Sequence, residues 1–222
     1  MNTRRFIIIL TSSLLLTATP LFSGGKISVH GIYMVPYGTD AKEVSRPGWG
    51  LGGDLQVGLP GAHDVLLGVV GIEYINLLVT SDDLVSFAGG VPIPYTKETD
   101  QWYGRLRAGL QIGGLGNGFF RPYLGLNGAL VLYRINTDLI FHPGGGEEDF
   151  TEHAYDDMNV VFGCDLTLGM DLKVWDQISI DGGIKYLKSF GVPDQLGGES
   201  VRIYPQYFQI CLGITLFSTG NE

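Results

Sequence analysis

Two arginines, Arg105 and Arg107, stand two residues apart in the stretch QWYGRLRAGLQI, residues 101–112. Read with a period of two, Trp102, Gly104, Leu106, Ala108, Leu110 and Ile112 share one face; Gln101, Tyr103, Arg105, Arg107, Gly109 and Gln111 share the other. Successive strand side chains point opposite ways, so this is a strand with an oily and a polar side. If the polar side is enclosed, both guanidinium groups lose their water and other strands must bring carboxylates to them. Segments of the same alternation supply Asp54, Glu73, Asp165, Asp171 and Asp181 on their polar faces, with Lys185 as a third cation. Asp54, Glu73, Arg107, Asp165 and Lys185 fall near mid-strand, and Asp171 and Asp181 closer to a short turn. Such a set makes a static charge plug or, alternatively, a gated polar passage.

Other chemistry is less well supplied. Nucleophilic catalysis needs a hydroxyl or thiol within reach of a base. Only Ser28 and His30 share a face at short spacing; His63 lies in a short turn, and His142 and His153 lie in a long loop with no strand-borne serine. No catalytic residue is assigned. Glu147, Glu148, Asp149, Glu152, Asp156 and Asp157 crowd residues 144–157. Their spacing fits no calcium-loop template, and an acidic loop is ordinarily a solvated one. No metal and no cofactor is expected. Cys164 falls on an oily face and Cys211 on the polar face of a different strand. A disulfide needs converging Cβ vectors, so two free thiols are predicted.

The composition suits a barrel. The 222 residues include 34 glycines, with 45% hydrophobic and only 17% charged, and 23 acidic residues oppose 14 basic ones. Nucleic acid is excluded as a partner, because phosphate neutralisation needs clustered Lys and Arg. Arg4 and Arg5 precede an apolar run over residues 6–16, followed by small and breaker residues to Ser23. That pattern reads as a signal peptide over residues 1–23, too short to span a bilayer. No later apolar run approaches the roughly 18 residues of a transmembrane helix, so membrane crossing requires strands.

From residue 24 onward the chain is a series of alternating segments: 27–37, 49–59, 65–78, 101–112, 122–133, 159–173, 178–190 and a last one ending at Phe217. Short turns and long loops join them in turn, the long ones covering 39–47, 80–100, 134–158 and 191–204. No helical period interrupts the pattern. The loop over 80–100 holds Leu84, Val85, Phe87, Val91, Ile93 and Tyr95, which suits either strand extension or a partner-binding patch.

Alternation alone does not say which face is outside. The polar faces consist largely of glycine and isolated charges, too few polar groups to coat a soluble exterior. The oily-face aromatics Trp49, Tyr74, Trp102, Phe162, Tyr186 and Phe208 all lie near strand ends that adjoin long loops. Aromatic rings concentrate at bilayer interfaces, so these form one girdle, and Phe119, Phe120, Trp175 and Phe217 contribute to the other. The expected fold is an all-β, eight-stranded antiparallel up-and-down transmembrane barrel over residues 24–222.

At this point the chain resembles the small eight-stranded outer-membrane barrels of the OmpA and OmpX type. The resemblance rests on Arg121-Pro122-Tyr123-Leu124-Gly125 opening a strand, the strand-turn-strand of residues 170–186, and an alternating C-terminal strand with a terminal aromatic. It implies short periplasmic turns, long extracellular loops and the outer membrane of a Gram-negative-type bacterium. It also implies lipid bilayer, lipopolysaccharide and the outer-membrane insertion machinery as partners. One departure is that five residues follow Phe217, where the family's assembly signal ends on the aromatic. No peptidoglycan-binding domain is expected after the barrel. The resulting expectation is a non-enzymatic barrel with a structural or surface-interaction role, adhesion-like and acting through its long loops. Its alternatives are a small conduit for ions or apolar molecules and a lipid-modifying hydrolase.

Overall fold

The computed structural model describes residues 25–59, 61–62, 65–88, 91–114, 118–142, 149–196 and 199–217. The expected signal segment lies outside them. In chain order the described elements are β1 (Gly25–Tyr37), α1 (Gly38–Val44), β2 (Gly48–Gly58), β3 (Leu66–Ala88), β4 (Val91–Gly113) and β5 (Phe120–Phe141). They continue with β6 (Phe150–Lys173), β7 (Ile178–Phe190), β8 (Val192–Leu196), β9 (Glu199–Ile203) and β10 (Gln206–Phe217). Eight strands close an antiparallel barrel in the order β1-β10-β7-β6-β5-β4-β3-β2, and β8 pairs with β9 as a separate hairpin. β1 completes the ring, setting Ser28 opposite Asp54 on β2 and Lys26 opposite Phe217 on β10. Closure gives each barrel strand a ladder partner on both sides, which a hydrocarbon environment requires of any strand that crosses it.

The barrel is sorted oil-outward. Val29, Ile72, Leu126, Leu168 and Leu212 are 56–66% exposed in their outward positions. Their inward neighbours Ser28, Glu73, Asn127, Thr167 and Cys211 are buried. A soluble barrel places its hydrocarbon inside. On β10 the outward apolar residues run from Phe208 to Leu216. At ~3.3 Å per residue and a ~40° tilt they cover about 20 Å of the bilayer normal, close to the height of an outer-membrane apolar band.

The long connections carry more regular structure than their sequences suggest. The segment expected as a loop over 80–100 is strand: β3 and β4 stay paired from Thr80↔Thr99 to Ala88↔Val91, past an irregularity between Leu77 and Thr80. Strand extension is therefore what the segment forms. The segment 134–158 is likewise mostly hairpin, with β5 and β6 paired out to Phe141↔Phe150 and a bulge at Thr137/Asp138. β8 and β9 occupy part of 191–204, and α1 occupies most of 39–47, where no helix was expected. Beyond the bilayer both faces of a strand can be wet, so the oily–polar contrast that marks a strand in sequence disappears. A helix of seven residues is too short to display a period.

α1 also changes the picture of the interior. Gly38, at φ 79°, turns the chain from β1 into the helix, a backbone angle that glycine adopts without a Cβ penalty. The turn delivers Ala41 and Ser45 to fully or nearly fully buried positions above the barrel. Beneath them lies an apolar layer with Ile32, Met34, Ile75, Leu77, Tyr103, Tyr133, Leu187 and Tyr207. The inward faces are thus not only glycine and charge; their loop-side third is hydrocarbon and tyrosine.

Two outcomes check this architecture. Unboiled and boiled protein should migrate differently on SDS gels, and identical mobility with recovery in the soluble fraction would exclude the barrel. Cys164 and Cys211 are free and on opposite faces of different strands. Mass spectrometry of non-reduced, alkylated protein should therefore find two modified thiols.

Candidate functional site

The middle of the lumen is organised on Glu73. Its carboxylate, with the residue 2% exposed, receives Arg105 Nη2 at 2.7 Å, Lys185 Nζ at 2.6 Å and Arg107 Nε at 3.4 Å. Gln209 Nε2 donates to its second oxygen at 3.3 Å. Arg107 reaches the other way to Asp54, with which it makes a close ion pair. Asp165 lies 3.4 Å from Arg105 and 3.7 Å from Arg107 and accepts from Asn127 at 2.7 Å and Thr167 at 3.0 Å. The ladder explains the convergence: Glu73 stands opposite Arg105, and Asp54 opposite Gly71, which in turn stands opposite Arg107. Glycine at 71 is what lets Asp54 and Arg107 meet, because a Cβ there would run into both side chains.

Nearer the short turns a second layer closes the other end. Lys26 Nζ binds Asp171 at 2.6 Å and the Gly114 carbonyl at 3.2 Å. Arg121 donates to Ser179 Oγ at 2.5 Å, and the Tyr123 hydroxyl donates to Asp181 at 2.7 Å. Phe217 belongs here and not to a lipid-facing girdle. Its ring lies under the Arg121 guanidinium at 4.1 Å and near Lys26 Nζ at 5.7 Å. Strand parity is the reason, since Leu216 takes the outward position beside it.

All eight charged residues singled out from the sequence are therefore buried in one interior, although in two layers. Lys26, Arg121 and His30 join them and were not assigned to the set from sequence. Parity alone could have placed Lys26 with Ser28 and His30, and Arg121 with Tyr123. With them, five cations (Lys26, Arg105, Arg107, Arg121, Lys185) oppose five carboxylates (Asp54, Glu73, Asp165, Asp171, Asp181) among the described residues. Leaving His30 aside, the described interior is neutral and contributes nothing to the formal charge of −9.

The aromatic set faces outward. Trp49, Tyr74, Phe162 and Phe208 are exposed and Trp102 and Tyr186 half-exposed, in three contacting groups, the first being Trp49 with Tyr33 at 4.4 Å. Tyr74 meets Trp102 at 5.9 Å, and Tyr37, Tyr186 and Phe208 cluster within 6.4 Å. Phe119, Phe120 and Trp175 are exposed beside the short turns.

Possible nucleophiles separate into two places. Ser28 and His30 are 1% and 5% exposed inside the lumen, and His30 lies 3.8 Å from both Asp54 and Glu73. Outside, the strand-borne hydroxyl missing from the sequence reading is Thr96: its Oγ1 lies 3.0 Å from His142 Nε2, and His142 Nδ1 lies 3.0 Å from Asp149. The arrangement resembles a nucleophile–base–acid set, but Thr96 donates its single hydroxyl proton to Asp83 at 2.9 Å. A hydroxyl committed to a carboxylate is not activated by the histidine. His63, Glu147 and Glu148 lie outside the described residues.

The remaining acidic side chains of 149–157 are largely engaged. Arg134 holds Asp156 through two hydrogen bonds of 2.8 Å, which keeps that carboxyl below its usual range. Asp157 accepts from Asn159 at 2.7 Å. No group of three or more His, Cys, Asp or Glu among the described residues is arranged to hold a metal ion.

No protein-family model and no curated protein sequence matches this chain. Solved structures do. Neisserial surface protein A is similar over 86% of this chain and 96% of its own, with 13% identity and a TM-score of 0.54. Ail, the attachment invasion locus protein of Yersinia pestis, covers 89% of this chain and 99% of its own at 10% identity and a TM-score of 0.48. The outer membrane protein OprG of Pseudomonas aeruginosa covers 88% and 96% at 13% identity and a TM-score of 0.46. The first likeness, with the closed ring of eight strands, makes the fold that of the small outer-membrane barrels.

The network sets two expectations for stability. Arg107→Ala leaves Asp54 and part of the Glu73 charge without their cation. Removing one partner of a buried pair costs about 3–5 kcal/mol, less where water reaches the site, so the temperature of the gel-mobility shift should fall. A rise would mean that Arg107 faces lipid. Gly71→Ala should also lower it, by overpacking worth about 1–3 kcal/mol, whereas Arg134→Ala in the exposed pair should leave it in place.

Proposed function

We propose that this chain is a non-enzymatic outer-membrane barrel of a Gram-negative-type bacterium whose working part is a four-stranded sheet held outside the membrane. The observation that carries the reading is the length of β3, β4, β5 and β6, each 22–24 residues against 11–13 for β1, β2, β7 and β10. The extra length pairs into one blade beyond the Tyr74/Trp102 girdle, with β4 joined to β3 and to β5 as far as Tyr95↔Phe141.

The blade has two chemistries. On the face continuous with the lumen, Leu84, Tyr95, Phe141 and Phe150 line up as cross-strand neighbours, with Phe141 and Phe150 stacked at 4.9 Å. On the opposite face stand Asp83, Glu98, Asp100, Asp138, Asp149 and Asp156, with His142 and His153 among them. An acidic, solvated face beside an aromatic row favours a protein or glycan at the cell surface over a negatively charged polymer. Bilayer lipid, outer-leaflet lipopolysaccharide and the insertion machinery are the partners that the barrel itself implies. The buried, charge-balanced lumen counts against the conduit reading, and the Thr96 hydroxyl's commitment to Asp83 against the hydrolase reading.

Cells displaying the full protein should adhere to a host-cell or matrix surface, and replacing residues 81–98 by a two-residue turn should abolish adhesion while heat-modifiable mobility persists. Adhesion unchanged by the truncation would remove the blade from the role. A steady ionic current through the full protein in planar bilayers would favour the conduit.

A further inference from the structure

Beyond the girdle the closed wall becomes a sheet with two edges, and only one of them is left plain. β2 stays beside β3 as far as Gly48↔Leu77, and among the described residues no strand pairs with that side of β3 from there to Ala88. The other edge belongs to β6 above Phe162, where its pairing with β7 ends. That edge is interrupted by the extra residue Ala154 and lies beside β8. Bulges, covering elements and prolines are the means by which sheet edges are blunted. β4 carries Pro92 and Pro94 where β5 leaves it, but β3 has no proline over 78–88. Residues 81–86 are all exposed.

One hydrogen bond fixes which backbone groups meet the bare edge. His142 N donates to the Pro94 carbonyl at 2.9 Å, so Pro94 faces β5 and its neighbour Tyr95 faces β3. In an antiparallel ladder the N–H and C=O of one residue point the same way, and successive residues alternate. Leu84, opposite Tyr95, therefore bonds to β4, while Ser81, Asp83 and Val85 turn their backbone groups outward.

A new strand must oppose its own outward residues to these. The strand of a second copy does so in an antiparallel register that sets Asp83 against Val85, Asp82 against Ser86 and Leu84 against Leu84. No carboxylate then stands directly opposite another. The row of Leu84, Tyr95, Phe141 and Phe150 meets its own image at Leu84 and runs unbroken across both blades. The next register one way opposes Asp83 to itself, which cross-strand charges disfavour. The next register the other way sets Leu84 against Ser86 and breaks the row.

We propose that the outer edge of β3 pairs with the same edge of a second copy of this chain, antiparallel and centred on Leu84. Strand direction decides where that copy sits. Two barrels in one membrane hold β3 pointing the same way, so the antiparallel partner belongs to a facing membrane. The contact joins cell to cell; it rests on the reading that the blade is the working part and names its partner. The seam is short against a stable interface, and copies of formal charge −9 repel one another. Single pairs are therefore weak, and attachment comes from many copies acting together.

The test uses phosphatidylcholine vesicles carrying many copies of the full protein, each variant first shown to be folded by heat-modifiable mobility. Wild-type vesicles should clump, and added salt should increase clumping because it screens the like charges. Val85 stands opposite Pro94 and spends no N–H on β4, so Val85→Pro removes a donor from the bare edge alone. It should lower clumping at least about tenfold, since many seams weaken at once. Wild-type vesicles that stay dispersed, or Val85→Pro vesicles that clump as wild type does, would overturn the pairing.

The register is read separately with single cysteines in Cys164→Ser/Cys211→Ser protein. Opposed residues that do not bond across a seam have Cα atoms about 4.5 Å apart, within reach of a disulfide. Under mild oxidation Leu84→Cys vesicles should yield a disulfide-linked dimer. Ser86→Cys vesicles should yield one only when mixed with Asp82→Cys vesicles. No dimer from Leu84→Cys, or as much from Ser86→Cys alone, would overturn the seam centred on Leu84. Dispersed vesicles with host adhesion still dependent on residues 81–98 would overturn the pairing and keep the blade's role. Failure of both would remove the blade as the working part.

Discussion

Glu73 is a carboxylate at the centre of a ring of strands, and the structure is arranged so that it is never without a counter-charge. Arg105, Arg107 and Lys185 surround it from β4 and β7, and Gln209 reaches it from β10. Taking one charge out of water is far costlier than taking out a hydrogen-bonded, balanced set. The set is possible only because the bilayer forces the wall to close. Hydrocarbon outside leaves no partner for a free strand edge or an outward charge, so the strands form a ring and the ionisable groups turn inward. β2, β3, β4, β6, β7 and β10 each contribute to one network, and opening any one seam would strand charges contributed by several others.

Neutrality is achieved locally. Three cations meet three carboxylates in the middle layer, two meet two nearer the short turns, and a cavity separates them. The lower layer ties together the chain's beginning and end, since Lys26 on β1 binds Asp171 on β6 and both Lys26 and Arg121 rest against Phe217 on β10. Phe217 thus helps to close the lumen, and its off-parity position explains why the outward apolar series of β10 ends one residue earlier, at Leu216. Glycine does the complementary work. At Gly71 the missing side chain is the space in which an aspartate and an arginine meet.

Outside the bilayer the same strands obey different rules. Water can satisfy both faces, so β3 to β6 continue past the girdle with mixed chemistry and exposed ion pairs such as Arg134–Asp156. Exposed pairs of this kind contribute little to stability, and the blade is held chiefly by its ladder hydrogen bonds and its aromatic row. That division suits the proposed role, because the surface can vary while the lumen, where each charge depends on several others, cannot.

The period-two alternation of the membrane-crossing segments is imposed by the bilayer itself, and for that reason eight strands, their inside and outside faces, the outward aromatics and the inward charges Asp54, Glu73, Arg105, Arg107, Asp165, Asp171, Asp181 and Lys185 were readable from residue order alone. Beyond the membrane that constraint lapses, and so 80–100 and 134–158 read as loops although they are paired strands. Which charge meets which also lay beyond the sequence. Parity places Lys26 and Arg121 on inward faces, but only the ring's register and shear bring Lys26 across the lumen to Asp171 and separate the charges into two layers. The apolar layer under α1 was least legible of all. Ile32, Ile75, Leu77 and Tyr207 are ordinary apolar residues on nominally polar faces, and they become one packed layer only when three strands, β1, β3 and β10, and a short helix bring them together.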